Sequence, residues 1–191
     1  MIIGLTGGIG SGKSTALNAL KKAGYKVISC DEISRRLYKK RKILKVLRGE
    51  FPTAVKGRIF YKADKKEIAR IIFSDEKKYA FLTDFLTEAI FNAAISTAKR
   101  QKGTVIVEAP LLFENGLERY FDKIIVITRD IAERIKSVKT RSALSEEEIA
   151  ARINRQIDYE SFNLTPFTVI KNDGSESDLA AAVLKAVKEQ K

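Results

Sequence analysis

Short apolar runs alternate with amphipathic stretches along most of the chain. Five runs rich in valine, isoleucine or leucine have the length of buried strands: residues 1–6, 25–30, 104–108, 123–128 and 167–171. Sequence with helical periodicity separates them, which favours a parallel sheet covered on both faces. We therefore predict an α/β fold built on a five-stranded parallel sheet.

Four stretches carry apolar residues at the spacing of amphipathic helices: residues 15–23, 131–140, 145–161 and 175–189. The third begins with Ser145 followed by three glutamates, which is the pattern of a capping box. The fourth follows a turn signal at residues 172–174, and Ser175 or Ser177 can cap it.

The segment at residues 31–102 is longer than the crossover between two parallel strands requires. It is mostly helical in periodicity, with apolar residues such as Ile68, Phe81 and Phe85. We predict one domain of residues 1–191 in which residues 32–102 form an inserted helical subdomain.

A glycine-rich run joins the first predicted strand to the first helix. Residues 7–15 read G-G-I-G-S-G-K-S-T and contain the pattern G-x-x-x-x-G-K-[ST]. Glycines let the main chain approach an anion closely, and the following helix directs its positive dipole end at the phosphates. In this context Lys13 reaches the β- and γ-phosphates and the Ser14 hydroxyl binds Mg²⁺. The run therefore predicts ATP or GTP binding by Gly8, Gly10, Ser11, Gly12, Lys13, Ser14 and Thr15.

Composition excludes several kinds of chemistry. The 191 residues include no histidine and one cysteine, Cys30. Imidazole bases, histidine metal sites, cysteine-cluster zinc sites and an intrachain disulfide are therefore excluded. No run of roughly 18 apolar residues and no secretory signal is present, so we expect no membrane segment and a cytoplasmic protein.

The formal net charge of +12 has two explanations. A basic surface could hold nucleic acid, or the charge could serve polyanionic small substrates on a lysine-rich surface. The lysines are scattered, and no nucleic-acid-binding motif accompanies their densest run at residues 39–42. We expect no nucleic-acid partner.

The remaining motifs narrow the class of nucleotide-binding protein. The GTPase motifs D-x-x-G and N-K-x-D are absent from the sequence, and the strand at residues 104–108 ends in a single carboxylate, Glu108. Small size, one phosphate loop, a helical insertion and a late arginine-rich segment favour a small-molecule kinase that uses ATP.

Several segments, in the same order along nearly the whole chain, resemble the dephospho-CoA kinase family. They are residues 4–15, residues 27–35, the run Pro110-Leu111-Leu112-Phe113-Glu114, the stretch from Arg141 through Leu144 and Arg152 to Gln156, and the turn at residues 172–174. The run at residues 110–114 is the most specific signature of this family.

The resemblance implies ATP-dependent phosphorylation of the ribose 3′-hydroxyl of dephospho-CoA, the last step of coenzyme A synthesis. It also implies a three-layer α/β/α P-loop core, a CoA-binding role for residues 32–102 and a lid at about residues 136–150. ATP and Mg²⁺ are the implied cofactors and dephospho-CoA is the small-molecule partner. The oligomeric state stays open.

The resemblance also suggests catalytic roles beside that of Lys13. Asp31 follows the second predicted strand and would accept the hydroxyl proton or help to hold the magnesium shell, and it could also cap a helix. Arg141 would be the lid arginine that offsets charge on the transferred phosphoryl group, with Lys136 and Lys139 as competitors.

Four residues are assigned to the substrates with weaker support. Glu108 occupies a Walker-B-like place, where it could position Mg²⁺ through water or contact the acceptor. Thr6 and Leu111 are assigned to the acceptor pocket and Asn172 to the adenine side. Each of them also suits an ordinary structural role.

One stretch departs from the family. Where the family usually has a His-Pro pair, this chain has Thr87 and Glu88. Loss of the proline permits a more continuous helix, and loss of the histidine removes a substrate contact. Two alternatives to the family interpretation remain open: a small P-loop kinase for another nucleotide or a sugar-like acceptor, and a nucleotide-regulated nucleic-acid-binding protein that uses the basic surface.

Overall fold

The structure is a computed structural model that describes residues 1–57, 60–142 and 145–189. The chain divides into two compact units, one formed by Met1–Ser29 with Thr97–Lys191 and the other by Cys30–Ser96. The order of elements is β1 (Ile2–Thr6), α1 (Lys13–Lys22), β2 (Lys26–Ser29), α2 (Cys30–Leu37), α3 (Arg41–Glu50), β3 (Val55–Lys56), β4 (Lys62–Ala63), α4 (Lys65–Ser74), α5 (Glu76–Lys99), β5 (Val105–Glu108), β6 (Lys123–Thr128), α6 (Ile131–Arg141), α7 (Glu146–Ile153), β7 (Thr168–Lys171) and α8 (Glu176–Glu189).

The first unit contains a five-stranded sheet in the order β2-β5-β1-β6-β7, and all of its strand pairs are parallel. The predicted α/β fold and five-stranded parallel sheet are therefore confirmed. The chain leaves β1 toward the β2 edge and leaves β6 toward the β7 edge. Ligands of open α/β sheets bind where the strand order reverses in this way, outside the carboxyl ends of the strands.

The core of the first unit lies between the sheet and helices α1 and α8. Ile3 and Leu5 of β1 are fully buried there against Leu20 of α1 and Val183 of α8. Gly4 lies between them in sequence and faces the other side of the sheet, where an added Cβ would lie 3.0 Å from Leu112 and Phe121. Both faces of β1 are thus covered. This packing fixes the position of β1, the strand that leads into the glycine-rich run at residues 7–15.

The second unit packs helices α2, α3, α4 and the first part of α5 around apolar residues that include Leu47, Phe51 and Val55. It also contains an antiparallel hairpin of β3 and β4, which the mostly helical prediction for this segment missed. Each strand has only two residues, too few to show the alternation by which a strand is recognised. Arg58 and Ile59 lie outside the described residues.

Helix α5 is a single helix of 24 residues that contains Thr87 and Glu88. The more continuous helix expected from the loss of proline is confirmed. Phe81 and Phe85 of this helix stack with ring centroids 5.8 Å apart.

Helix α7 ends at Ile153 and is therefore shorter than the predicted helix at residues 145–161. Beyond that point the N–H of Ile157 donates to the side chain of Glu114 (2.9 Å) instead of continuing the helical ladder. The predicted capping box at Ser145 and Glu148 is confirmed. Leu144, part of the resemblance to the family, lies outside the described residues.

None of the helices in the described residues combines the length and the apolar composition needed to cross a membrane.

Candidate nucleotide-binding site

The phosphate loop, which is the glycine-rich run at residues 7–15, has a backbone that only glycine can form at three positions. Gly7, Gly10 and Gly12 have φ angles of 143°, 79° and 105°. An added Cβ would lie 2.1 Å from the Ile127 carbonyl oxygen at Gly7, 2.5 Å from the Arg134 carbonyl oxygen at Gly10 and 2.4 Å from Asn172 Nδ2 at Gly12. The glycines therefore provide both the turn and the close packing that shape the loop.

Lys13 is the first residue of α1, and its ammonium group lies against the loop. Lys13 Nζ donates to the carbonyl oxygens of Gly7 (2.7 Å) and Gly8 (2.9 Å). Ser14 is exposed and Thr15 is half-buried in the same first turn. A cation, an exposed hydroxyl and a helix N-terminus thus meet at the end of β1, which suits an anionic ligand.

Ser11 and Asn172 support the loop from inside. Asn172 Nδ2 donates to the Ser11 carbonyl oxygen (2.8 Å), and the Asn172 N–H donates to the Thr128 carbonyl oxygen (2.8 Å). Asn172 is buried, and the buried Ser11 hydroxyl lacks a hydrogen-bond partner within the described residues. Asn172 therefore anchors the loop, and its assignment to the adenine side stays a prediction.

Two residues contact the loop at Ile9: Arg134, which the sequence analysis did not single out, and Gln156, which it named only within the family-like stretch that begins at Arg141. The Ile9 N–H donates to Gln156 Oε1 (2.7 Å), and Arg134 Nε donates to the Ile9 carbonyl oxygen (2.9 Å). Burial lowers the pKa of the Arg134 guanidinium, while Tyr159, Glu160 and Asp158 favour its charged form. No local sequence signal marks these contacts, because they join residues 147 and 125 positions apart.

Glu108 and Thr6 lie at the carboxyl ends of neighbouring strands. Glu108 is buried, and its Oε2 accepts a hydrogen bond from the Ser29 hydroxyl (2.6 Å). Thr6 is fully buried, so its side chain faces the protein interior beside Tyr159. Burial raises the pKa of the Tyr159 hydroxyl to about 12, although the nearby Thr6 hydroxyl acts in the opposite direction.

Asp31 belongs to the second unit and lies in the first turn of α2, two residues after β2 ends. It is exposed, and because the helix already begins at Cys30, Asp31 is within the helix rather than at its N-cap.

The lid candidates differ in their surroundings. Arg141 is the exposed last residue of α6, whereas Lys139 forms an ion pair with Glu146 at the start of α7. The Lys139 ammonium lowers the pKa of the Glu146 carboxyl group.

Leu111, which the sequence analysis assigns to the acceptor pocket, is 40% exposed.

A cavity of about 420 Å³ borders the loop at Gly8 and Ser11. The segment after β6, the residues around Tyr159, and Val169 and Lys171 of β7 also line it. Ile170 between them packs with α1 and α8, so the cavity lies on the opposite face of the sheet.

The described ranges hold no group of three or more histidine, cysteine, aspartate or glutamate residues arranged to bind a metal ion. Mg²⁺ in phosphate-transfer sites needs only one or two protein ligands, because waters and phosphate oxygens supply the others. The exposed Ser14 hydroxyl beside a glycine cradle fits that pattern of binding.

The sheet order and the loop between its central strand and α1 define a P-loop nucleotide-binding protein of the small kinase type. A family model for dephospho-CoA kinase matches residues 1–178. A dephospho-CoA kinase of Thermus thermophilus is 34% identical over 188 residues, which cover 98% of this chain and 90% of that protein. This chain belongs to the dephospho-CoA kinase family.

Solved structures agree with the sequence comparison. The crystal structure of TT1252 from Thermus thermophilus has a TM-score of 0.84 and 34% identity, covering 100% of this chain and 97% of that chain. A dephospho-CoA kinase from Campylobacter jejuni has a TM-score of 0.71 and 27% identity, with coverage of 98% and 96%. The resemblance found in the sequence is confirmed.

Proposed function

We propose that the chain transfers the γ-phosphoryl group of ATP to the ribose 3′-hydroxyl of dephospho-CoA, giving coenzyme A and ADP. The observation that carries this proposal is the family match over residues 1–178, which contains a phosphate loop with glycine-only geometry. Neither alternative retained from the sequence has a comparable observation in its favour.

The loop residues provide the phosphate-binding surface. Backbone N–H groups at the start of α1 and the Lys13 ammonium stabilise the negative charge of the β- and γ-phosphates. Lys13 already lies against the loop, so ATP would replace its two carbonyl contacts with phosphate oxygens. Phosphoryl transfer is catalysed mainly by such positioning and charge stabilisation.

Mg²⁺, when bound, neutralises charge that develops on the β- and γ-phosphate oxygens. We assign Ser14 to hold it, with Glu108 acting through water. The hydrogen bond from Ser29 fixes the Glu108 carboxylate at the end of β5.

Asp31 is our candidate for the base that accepts the 3′-hydroxyl proton. The chain has no histidine, and Asp31 is an exposed carboxylate two residues after β2 in the sequence. Substrates of open α/β folds bind outside the carboxyl ends of the strands. Arg141 would offset the charge of the phosphoryl group, Thr6 and Leu111 would belong to the acceptor side, and residues 32–102 would hold CoA.

The substrate is tested by measuring ADP release with dephospho-CoA and with a panel of nucleosides, nucleotides and sugars. We expect strong stimulation by dephospho-CoA alone, and a product heavier by one phosphoryl group that carries it at the 3′-position. Stimulation by another acceptor, with none by dephospho-CoA, would contradict the proposal.

The assignment of Asp31 is tested with Asp31→Asn against Glu32→Gln, which changes the neighbouring exposed carboxylate. Loss of a general base lowers turnover by about 10²–10⁴-fold. We expect this loss in kcat for Asp31→Asn, with nucleotide binding nearly unchanged, and near-normal turnover for Glu32→Gln. Similar kinetics for the two variants would remove Asp31 from the mechanism.

A further inference from the structure

Ile9, the third residue of the phosphate loop, is held by side chains on both of its main-chain polar groups. Gln156 Oε1 accepts from its N–H at 2.7 Å, and Arg134 Nε donates to its carbonyl oxygen at 2.9 Å. Arg134 Nη2 also donates to Gln156 Oε1 at 3.4 Å. The two side chains and Ile9 therefore form a closed set of three hydrogen bonds.

Arg134 also fills the space behind the glycines on either side of Ile9. An added Cβ on Gly8 would lie 2.3 Å from Arg134 Nη2, and one on Gly10 would lie 2.5 Å from the Arg134 carbonyl oxygen. Arg134 is only 6% exposed. The loop therefore packs closely against Arg134, with Gly8 next to its guanidinium and Gly10 next to its main chain.

Gln156 is fixed from a second direction. The neighbouring N–H of Ile157 donates to Glu114 Oε1 at 2.9 Å, and Glu114 belongs to the segment that follows β5. The end of helix α7 at Ile153 turns the chain so that Gln156 and Ile157 reach these partners. The turn after α7 thus contacts both the loop and the segment after β5.

We infer that Arg134 and Gln156 are positioning residues that hold residues 8–10 in the phosphate-binding conformation before ATP arrives. A loop held in advance has less conformational freedom to lose on binding, so affinity for the nucleotide rises. The effect falls on ATP, because neither side chain is assigned to the acceptor. The inference rests on the proposed kinase reaction for its kinetic test but not for its binding test.

The binding test uses a fluorescent ADP analogue and needs no acceptor. We expect Arg134→Ala and Gln156→Ala to weaken its binding about tenfold or more, since each removes a hydrogen bond that involves a buried charge or the loop backbone. Gln156→Glu keeps an oxygen acceptor for the Ile9 N–H and should recover most of the affinity. Arg119→Ala is the control for Arg134→Ala, because Arg119 also donates to a backbone carbonyl, that of Gly116, outside the loop. Gln101→Ala, at an exposed glutamine outside the loop, is the control for Gln156→Ala.

The kinetic test separates positioning from general destabilisation. We expect the KM for ATP to rise by the same factor as the loss of ADP-analogue binding, while the KM for dephospho-CoA stays within about twofold. Added guanidinium should partly restore Arg134→Ala. If Arg134→Ala does not fold, Arg134→Lys, which keeps the buried cation, and Gln156→Ala carry the test.

Two results would overturn the inference. One is unchanged nucleotide binding in folded variants whose melting temperature falls, because that marks a purely structural role. The other is an equal rise in KM for both substrates. Wild-type protein that binds the ADP analogue but does not respond to dephospho-CoA would count against the proposed function alone.

Discussion

The phosphate loop of the first unit and the core of the second unit are stabilised in different ways. In the first unit, side chains reach across long sequence separations to backbone groups of the phosphate loop, as Asn172 does to Ser11 and Arg134 to Ile9. In the second unit, an apolar core around Leu47 and Phe51 is surrounded by local contacts, such as the ion pair of Arg70 with Glu67. Directional hydrogen bonds fix the positions of individual atoms, whereas apolar packing fixes volume.

The difference indicates how each unit should respond to substitution. Changes at the loop should alter nucleotide binding and turnover more than they alter stability. Changes in the second core should alter stability first, because its residues contribute packing rather than charge. The following predictions test this distinction, beginning with the largest expected effect.

Lys13→Ala should lower kcat/KM for ATP by roughly 10²–10³-fold, because it removes the cation that stabilises the transferred phosphoryl group. The melting temperature should change little, since the half-buried Lys13 side chain lies outside the apolar core of its unit. Steady-state kinetics and thermal unfolding measure the two effects. Lys22→Ala, at the exposed end of the same helix, should leave both nearly unchanged, and a comparable loss there would argue against a specific role for Lys13.

Leu47→Ala should destabilise the protein by about 2–5 kcal/mol, because Leu47 is fully buried and its truncation leaves a cavity. Hydrogen exchange should rise mainly at amides of residues 30–96. Leu20→Ala creates a similar cavity in the first unit and should raise exchange around α1 instead. Equal exchange throughout the chain in both variants would mean that the two units open together.

Gly10→Ala should cost about 1–3 kcal/mol more than Gly24→Ala in urea unfolding and should also weaken nucleotide binding. Both residues have positive φ angles, 79° and 86°, so both variants carry the same backbone strain. Only Gly10 has an atom in the way, the Arg134 carbonyl oxygen at 2.5 Å, whereas nothing lies within 4 Å of the Cβ at Gly24. Equal costs would show that the close packing of the loop against α6 is dispensable.

Tyr159 should make stability depend on pH in the alkaline range. Its pKa in the folded protein is about 12 against an ordinary value of 10.0, so folding favours the protonated phenol. The contribution of this pKa difference to the free energy of unfolding is fully present below pH 10 and is lost as the pH rises toward 12. The total loss is at most about 2.7 kcal/mol. Urea unfolding of Tyr159→Phe from about pH 9 to about pH 11.5 should show a weaker loss than wild type. Tyr79→Phe, at an exposed position, should follow wild type, and parallel curves for all three proteins would contradict the assignment.

The parts of the structure that the sequence predicts are those with a local cause. The loop at residues 7–15 is recognisable because its glycines, Lys13 and Ser14 are adjacent in the chain, and the cap at Ser145 needs only Glu148 three residues away. The five strands are visible because burial on both faces requires continuous apolar runs. The family assignment followed from the same short-range patterns.

The features that the sequence does not predict depend on hydrogen bonds between residues far apart in the chain. The chain beyond α7 contacts Glu114, whose side chain accepts from the N–H of Ile157 43 residues away. Asn172 was assigned to the adenine side, yet its amide supports Ser11, and nothing near Arg134 or Gln156 indicates their contacts with Ile9. The proposed roles involve direct contact with the substrates, and a sequence does not show such contacts. This applies to Asp31, Arg141, Thr6 and Leu111.

The hydrogen bond between Ser11 and Asn172 spans 161 residues and therefore bears on how the protein is made. During synthesis the loop leaves the ribosome first, and the asparagine that anchors it is added 161 residues after Ser11. At roughly 5–20 residues per second, the interval between them is on the order of 10–30 s. Through this period the nascent chain carries a complete phosphate-binding motif without its anchor, so we expect tight ATP binding only after Asn172 has been added. The motif is the first part of the site to be synthesised and the last to be finished.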